Sequence, residues 1–245
     1  MRARARAPRP HGPFASAFPA LAANLTAQMT GSALAPVFAS FFLGGFFSLV
    51  TIINPPSALP LFTALSSGLA GGEARALARR ACTYSFFILI VSLFAGGLIL
   101  NMFGVSYPAL RVAGGICVLL LGHGMLFGRG GVAAQEAGAH ANPAFFPLAL
   151  PSITGPGTIA VVIGISTEIR ELKGLPSEAV AYVATVCAML ATCVLTWAVL
   201  RSAPAISHRL GAGGIEVLTR LMGFLLLCVG VQFIASGVRS FVAGS

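Results

Sequence analysis

The sequence predicts an all-α integral membrane protein with six transmembrane helices, arranged as two inverted three-helix repeats in which spans 1 and 4 are broken by Pro/Gly motifs. Three observations predict this fold. The 245-residue chain is 57% hydrophobic and only 9% charged, against about 25% charged residues in soluble domains. Six long windows lack Arg, Lys, Asp and Glu, and two proline-rich motifs interrupt the apolar sequence 100 positions apart. The chain is therefore expected to lie in a lipid bilayer.

The distribution of charge excludes several classes of function. The sequence contains no Asp, and its six Glu fall at span ends or in loops. Since ionisable groups at mid-membrane are costly and usually functional, we expect no proton relay through carboxylates and no metal or cofactor site built from them. The net charge of +9 comes partly from Arg2, Arg4, Arg6 and Arg9. These suit anionic headgroups or the cytoplasm, and nucleic acid is not expected as a partner.

Catalytic motifs are missing from the sequence. The five cysteines form no Cys-x-x-Cys pair, so they are interpreted as small apolar packing residues and not as a disulfide framework or metal site. There is no His-Glu-x-x-His motif, and the stretch 164–167 lacks the second glycine of a nucleophile elbow. The sequence therefore predicts a protein that is not an enzyme.

The first span is too long to cross the membrane as one straight helix. Residues 1–33 form an Arg/Pro-rich tail that is predicted to be disordered, with Met29 as an alternative start and no clear signal peptide. The apolar run from Ala35 to Leu69 would measure about 50 Å as a continuous helix, whereas the hydrocarbon core is about 30 Å thick. Proline disfavours helix at its own and the preceding position, so the break is predicted at Ile53 to Pro56.

The remaining spans follow from the uncharged windows. Spans 2 and 3 are predicted at about 82–102 and 109–127, which completes a first repeat over 34–128. A polar, Gly-rich linker, 129–142, leads to a second repeat over 143–240. In it, span 4 starts near Pro143 and is broken at Pro151 and Gly155–Gly157, and spans 5 and 6 fall at about 179–200 and 217–238.

The two halves share further motifs. Arg111 opens span 3 and Arg220 opens span 6, each followed by Gly three residues later, and at the same offset of 109 His123 falls on Gln232. Three spans is an odd number, so two such repeats enter the membrane in opposite directions, as in many secondary transporters. A chance alignment of Leu-rich segments is the alternative.

The two breaks are the candidate functional site. A broken helix in lipid leaves N–H and C=O groups unsatisfied, and it survives only against protein or a water-filled cavity. Half-helix ends suit ions and polar groups, N-termini taking anions and C-termini cations. The alternative is that the kinks only help the helices to pack. The predicted substrate path comprises Asn54, Pro55, Pro56, Ser57, Pro60, Pro151, Ser152, Thr154, Gly155, Pro156, Gly157 and Thr158.

A second tier of polar residues lies outside the breaks. His123 and Gln232 are expected to be buried at equivalent depth, with packing and a proton-linked role as alternatives for the histidine. Arg111 and Arg220 are expected to extend toward headgroups. Small-residue stripes predict close helix contacts; they comprise Gly115 with Gly122, and Gly223, Gly230 and Gly237.

The broken-span motifs resemble those of a known family. The stretches 54–62, 78–81, 111–115, 147–151 and 155–159 are similar to those of the MarC family of bacterial inner-membrane proteins, over residues 36–238. The resemblance implies a multi-pass inner-membrane protein with six spans, related to LysE-type exporters. The Arg-rich tail and His123 depart from the family pattern.

The expected function is transport or export of a small solute between the two halves. The alternative is a non-transporting membrane scaffold or regulatory protein, and homo-oligomer formation is left open. The arginines of the short loops 1, 3 and 5 favour both termini outside, whereas the four tail arginines favour the opposite orientation.

Overall fold

The computed structural model describes residues 34–127, 142–172 and 174–243. The predicted tail 1–33 and nearly all of the predicted linker 129–142 lie outside the described residues. Within the described ranges the chain is helical and contains no strand. A 3-10 turn, Pro55–Ala58, joins the first two helices, and an irregular segment, Ala144–Ile153, precedes the fifth. The helices are α1 Leu34–Ile53, α2 Leu59–Ser66, α3 Gly71–Met102, α4 Tyr107–Leu126, α5 Pro156–Arg170, α6 Leu175–Arg201 and α7 Ala203–Ala243.

Five helical stretches in the described part of the chain are long and apolar enough to cross a membrane. They are Leu34–Ser66, Gly71–Met102, Tyr107–Leu126, Leu175–Arg201 and Gly213–Val242. A sixth crossing exists if Ala144–Ile153 and α5, which are bent by 64° against each other, form one broken span. The all-α membrane fold is thus confirmed, with five or six spans.

Two helices begin earlier than the spans predicted from the sequence. Span 2 is expected near residue 82 and span 6 near residue 217, but α3 begins at Gly71 and α7 at Ala203. The part of α7 that is long and apolar enough to cross a membrane begins at Gly213. Uncharged windows mark the length of chain that lipid can surround, and a helix can continue beyond it. In α7 the extension is set off by a kink at Gly211, whose φ of 65° favours glycine.

Helices α4 and α7 cross in antiparallel directions with their backbones in contact. A β-carbon on Gly122 would lie 2.6 Å from the carbonyl oxygen of Gly223, and one on Gly115 would lie 2.9 Å from that of Gly230. Gly237 adjoins Pro108 at the start of α4. Only glycine permits this approach, so the close helix contacts predicted from the small-residue stripes are confirmed.

The remaining helices surround a common apolar core. Helix α1 packs against α6, whereas α3 packs against α5, α6 and the irregular segment. Cys82 and Cys193 lie in this core, consistent with their interpretation as packing residues. Many large apolar side chains remain exposed at helical spacing, as expected for a surface that faces lipid tails; on α3 these include Phe87, Val91, Phe94 and Leu98.

Candidate functional site where the two breaks meet

The first break follows from one asparagine and two prolines. Helix α1 ends at Ile53, and Asn54 adopts a left-handed conformation with φ 44° and ψ 69°, which Asn tolerates better than most residues. Its N–H still donates to the carbonyl of Val50 at 2.9 Å. Pro55 and Pro56 open the 3-10 turn, where a missing N–H costs little. The predicted break between Ile53 and Pro56 is confirmed.

The second break is longer and less regular than the first. Phe146 and Leu150 have extended backbones, as residues before proline favour, and both following peptide bonds are cis. The break predicted at Pro151 and Gly155–Gly157 is therefore present, but the irregular backbone begins earlier, at Phe146. Two prolines four residues apart, Pro147 and Pro151, leave no complete turn between them in which an α-helix can form.

Helix α5 begins directly after this irregular segment. Gly155 is its N-cap residue and Pro156 its first helical residue, so the first N–H groups at this end belong to Gly157 and Thr158. Such groups have no partner within the helix. A β-carbon on Gly157 would collide with Val118 of α4 and would lie 3.7 Å from Ile52 of α1. Glycine here lets the N-terminus of α5 fit between the other two helices.

The two breaks share one small cavity, which we name the central cavity. It has a volume of about 30 Å³, and Ser57 of the first break lines it together with residues of the second. A volume of this size holds about one or two water molecules. Its lining residues from the predicted site are Ser57, Pro151, Ser152, Gly155, Pro156, Gly157 and Thr158.

A second, larger compartment lies beside it, and we name it the α1–α7 groove. It has a volume of about 210 Å³ and runs between the last turn of α1 and the middle of α7. Two of its lining side chains are polar, Thr51 and Asn54. The remaining lining residues are Val50, Leu225, Leu226 and Val229.

Four residues of the predicted site line neither compartment. Pro55, Pro56 and Pro60 shape the turn and the start of α2. Thr154 is completely buried, and its hydroxyl has no hydrogen-bond partner within the described part of the chain. An unpartnered hydroxyl inside a protein costs free energy, so the Thr154 hydroxyl, which neither compartment reaches, destabilises this arrangement of the helices.

The prediction that the second-tier residues His123 and Gln232 are buried is wrong. His123 and Gln232 are exposed on the outside of α4 and α7 and are not buried, and the histidine ring contacts Phe127. The physical reason is the glycine crossing: Gly122 and Gly230 occupy the buried face of each helix, which turns the neighbouring polar residues outward.

The two equivalent arginines differ in their surroundings. Arg220 is exposed and donates to Glu216 at 2.7 Å, one turn away on the same helix. The guanidinium of Arg111 instead lies 5.5 Å from the centre of the Tyr107 ring and 5.9 Å from that of Phe233. Its Nε atom is buried without a partner among the described residues. Arg111 therefore connects α4 to α7 as well as carrying charge.

Sequence reasoning missed the apolar walls of both compartments. Ile52 and Ile53 of α1, and Val118 and Leu121 of α4, line the central cavity, and Leu226 of α7 lines both compartments. The signal was present in the glycine stripes, because Val118 follows Gly115 by three positions and Leu226 follows Gly223 by three. Among the described residues, no cluster of His, Cys, Asp and Glu could hold a metal ion.

Comparison with known proteins agrees with this architecture. The profile described as MarC family integral membrane protein matches residues 39–242. The chain is 39% identical to the inner membrane protein MarC of Citrobacter koseri, 40% to that of Salmonella paratyphi A and 38% to that of Escherichia coli O157:H7. Each alignment has 208 residues and covers 81% of this chain and 94% of the relative. No solved structure matches the chain. The protein is a multi-pass inner-membrane protein and belongs to the MarC family.

Proposed function

We propose that this protein is a secondary transporter or exporter that moves a small, zwitterionic or weakly charged solute between its two halves. One observation carries the proposal: both helix breaks contribute to the same central cavity, Ser57 from the first and Ser152 from the second. Irregular backbone inside a membrane protein persists where it lines a path for polar groups. The proposal includes no enzymatic step and no cofactor.

The chemistry of the cavity suits such a solute. The N-terminus of α5, with free N–H groups at Gly157 and Thr158, carries about half a positive charge and favours an anionic group. The hydroxyls of Ser57 and Ser152 add neutral hydrogen-bonding groups. No acidic or basic side chain lines either compartment, so strongly charged solutes would lack a counter-charge in the described part of the chain.

The packing of the helices supports an inverted repeat. Helix α1 of the first half packs on α6 of the second, just as the broken segment 144–170 packs on α3. Likewise α4 packs on α5, and α7 packs on α2 and the 3-10 turn. Exchanging the halves thus maps each of these contacts onto another. A pseudo-twofold axis in the membrane plane has this property.

The glycine crossing supports the same symmetry and refines its register. Gly115 meets Gly230, and Gly122 meets Gly223. At an offset of 108 positions, Gly115 corresponds to Gly223 and Gly122 to Gly230. Exchanging the two halves then turns each of the two glycine contacts into the other. The offset of 109 that the arginine motifs suggest would instead bring non-equivalent residues together. At 108, His123 corresponds to Val231 and not to Gln232.

The alternative, a non-transporting scaffold or regulatory protein, is favoured by one observation. The central cavity has only about 30 Å³, and neither Asn54 nor Thr154 lines it. A protein whose breaks serve packing alone would keep its centre filled in every state. A transporter would enlarge this cavity in another state of its cycle.

A solute efflux screen tests the proposal. Cells that overexpress the protein are compared with a deletion strain, and intracellular and medium solutes are profiled. We expect at least one solute whose efflux rises with the wild-type protein and not with the Ser152→Ala variant. The matched control is Ser40→Ala, since Ser40 donates to Val37 on α1, away from both compartments. Equal profiles for all strains would favour the scaffold.

A further inference from the structure

We propose that Leu226 is the barrier between the central cavity and the α1–α7 groove. This inference rests on the proposed function, because it makes the groove the side from which a transported solute enters the central cavity. It names the gate and the side from which a solute reaches the helix breaks.

The two compartments lie side by side at the first break. Thr51 and Asn54 line the groove, whereas Ile53 and Ser57 line the central cavity, which Ser152 of the second break also lines. Three residues of α7 line the groove, and Leu226 is the one among them that also lines the central cavity. The two compartments are therefore neighbours on the two sides of this leucine.

The two compartments differ in size. The groove has about 210 Å³ and the central cavity about 30 Å³. A solute that is too large for the central cavity can therefore be accommodated in the groove, on the other side of Leu226.

Leu226 occupies the boundary between them. It is the one described residue that lines both compartments, and its side chain is only 7% exposed. Asn54 lies on the groove side and Ser152 on the cavity side. The glycines on either side of it, Gly223 and Gly230, hold the α7 backbone against α4, so α7 cannot withdraw at this point without breaking that contact. A passage between the two compartments therefore requires a change in the side-chain conformation of Leu226.

Cysteine labelling tests the barrier without knowledge of the solute. In a full-length protein whose five cysteines are replaced, Ser152→Cys reports on the central cavity and Thr51→Cys on the groove. The reagent is N-ethylmaleimide, which is uncharged and larger than the central cavity can accept. We expect fast labelling at position 51 and slow labelling at position 152. Leu226→Ala should accelerate labelling at position 152 by about tenfold, because removing the barrier exposes a protected site.

Two further variants control this experiment. Leu225→Ala makes the same change in a residue that lines only the groove, and it should leave labelling at position 152 unchanged. Leu226→Val removes one methylene and should give an intermediate rate; it carries the test if Leu226→Ala does not elute as a folded protein in size-exclusion chromatography. Labelling at position 152 that is as fast as at position 51 with Leu226 present would overturn the barrier, and so would a rate that neither Leu226 variant changes.

The labelling and efflux results are independent of each other. If Leu226→Ala accelerates labelling but the protein moves no solute in the efflux screen, the proposal that Leu226 is a barrier stands and the proposed transport function is refuted. If the protein exports a solute but the Leu226 variants do not change labelling, the proposed transport function stands and the proposal that Leu226 is a barrier is refuted.

Discussion

Gly115 of α4 and Gly230 of α7 meet backbone to backbone. A β-carbon on Gly115 would lie 2.9 Å from the carbonyl oxygen of Gly230, and a β-carbon on Gly230 would lie 2.8 Å from that of Gly115. The contact is reciprocal, as contacts across a twofold axis are. It also fixes the position of the apolar residues between the glycines, which form the walls of the two compartments.

The glycine crossing should not tolerate a side chain. We expect Gly122→Val to lower the thermal midpoint by about 5 °C or more, since overpacking a close contact costs about 1–3 kcal/mol. The atoms that a β-carbon at position 122 would meet include backbone atoms of Gly223 and Leu227, which cannot rotate away. Thermal unfolding in detergent, followed by size-exclusion chromatography, measures the shift.

Gly124→Val is the matched control on the same helix. No atom lies within 4 Å of a β-carbon at this position, so the valine should leave the midpoint within about 1 °C, as for an ordinary surface substitution. An equal loss of stability in the two variants would show that the contact with α7 is not the cause, since valine has a better helix propensity than glycine.

Asn54 combines a backbone role with a place in the α1–α7 groove. Asn54→Gly keeps the left-handed conformation and removes the amide, so we expect intact folding and a loss of transport. Asn54→Leu should lose transport too, but with a destabilisation of about 1–2 kcal/mol, because the left-handed conformation is unfavourable for leucine. The two variants separate the amide from the backbone when efflux and thermal midpoint are measured on each.

Normal efflux by Asn54→Gly would exclude the amide from the solute path. In that case Thr51, the other polar residue of the groove, would be the next side chain to test.

The buried hydroxyl of Thr154 is expected to lower the stability of the protein and to support efflux. It has no hydrogen-bond partner in the described structure, and an unsatisfied buried polar group costs about 1–3 kcal/mol. We therefore expect the nearly isosteric Thr154→Val to raise the thermal midpoint and to reduce efflux. A fall in both would indicate that the hydroxyl serves the fold.

Thr185→Val provides the comparison for Thr154. Thr185 is equally buried on α6, but its hydroxyl donates to the carbonyl of Ala181 at 2.8 Å. Replacing it should leave efflux unchanged and should not stabilise the protein, because the hydroxyl removed already has a partner.

The two motif arginines should respond differently to lysine. Arg111→Lys removes the planar guanidinium that lies beside the rings of Tyr107 and Phe233, and cation–π contacts are worth about 0.5–2 kcal/mol. We expect a lower thermal midpoint. Arg220→Lys keeps an exposed pair with Glu216 that contributes about 0.3–0.5 kcal/mol at most, so little change is expected. Equal midpoints for the two variants would argue against a stabilising role of the ring contacts.

The sequence predicted the break of the first span well because its cause is local. Proline excludes helix at its own position and disfavours it one residue earlier, whatever the tertiary context. The same reasoning located the second break at Pro151 and Gly155–Gly157, around the start of α5. It failed on the extent of the irregular segment, which depends on how α3 packs against it.

The site was only partly predictable for a related reason. Polar and proline residues are conspicuous in an apolar sequence, so Ser57, Ser152 and the glycines beside Pro156 were identified. Apolar wall residues such as Leu226 look like any other lipid-facing leucine until the helix is oriented by its glycines. His123 was predicted to be buried because the sequence alone did not show which face of α4 packs against α7.

Helix α3 extends well beyond what the bilayer requires. Its 32 residues measure about 48 Å, against a hydrocarbon thickness of about 30 Å, so some ten residues project from the membrane. Arg75, Arg79 and Arg80 occupy that projecting end. Sinking α3 deeper would drag guanidinium groups into hydrocarbon, and raising it would expose phenylalanines to water. Helix α3 thus determines the depth at which the whole protein lies in the bilayer.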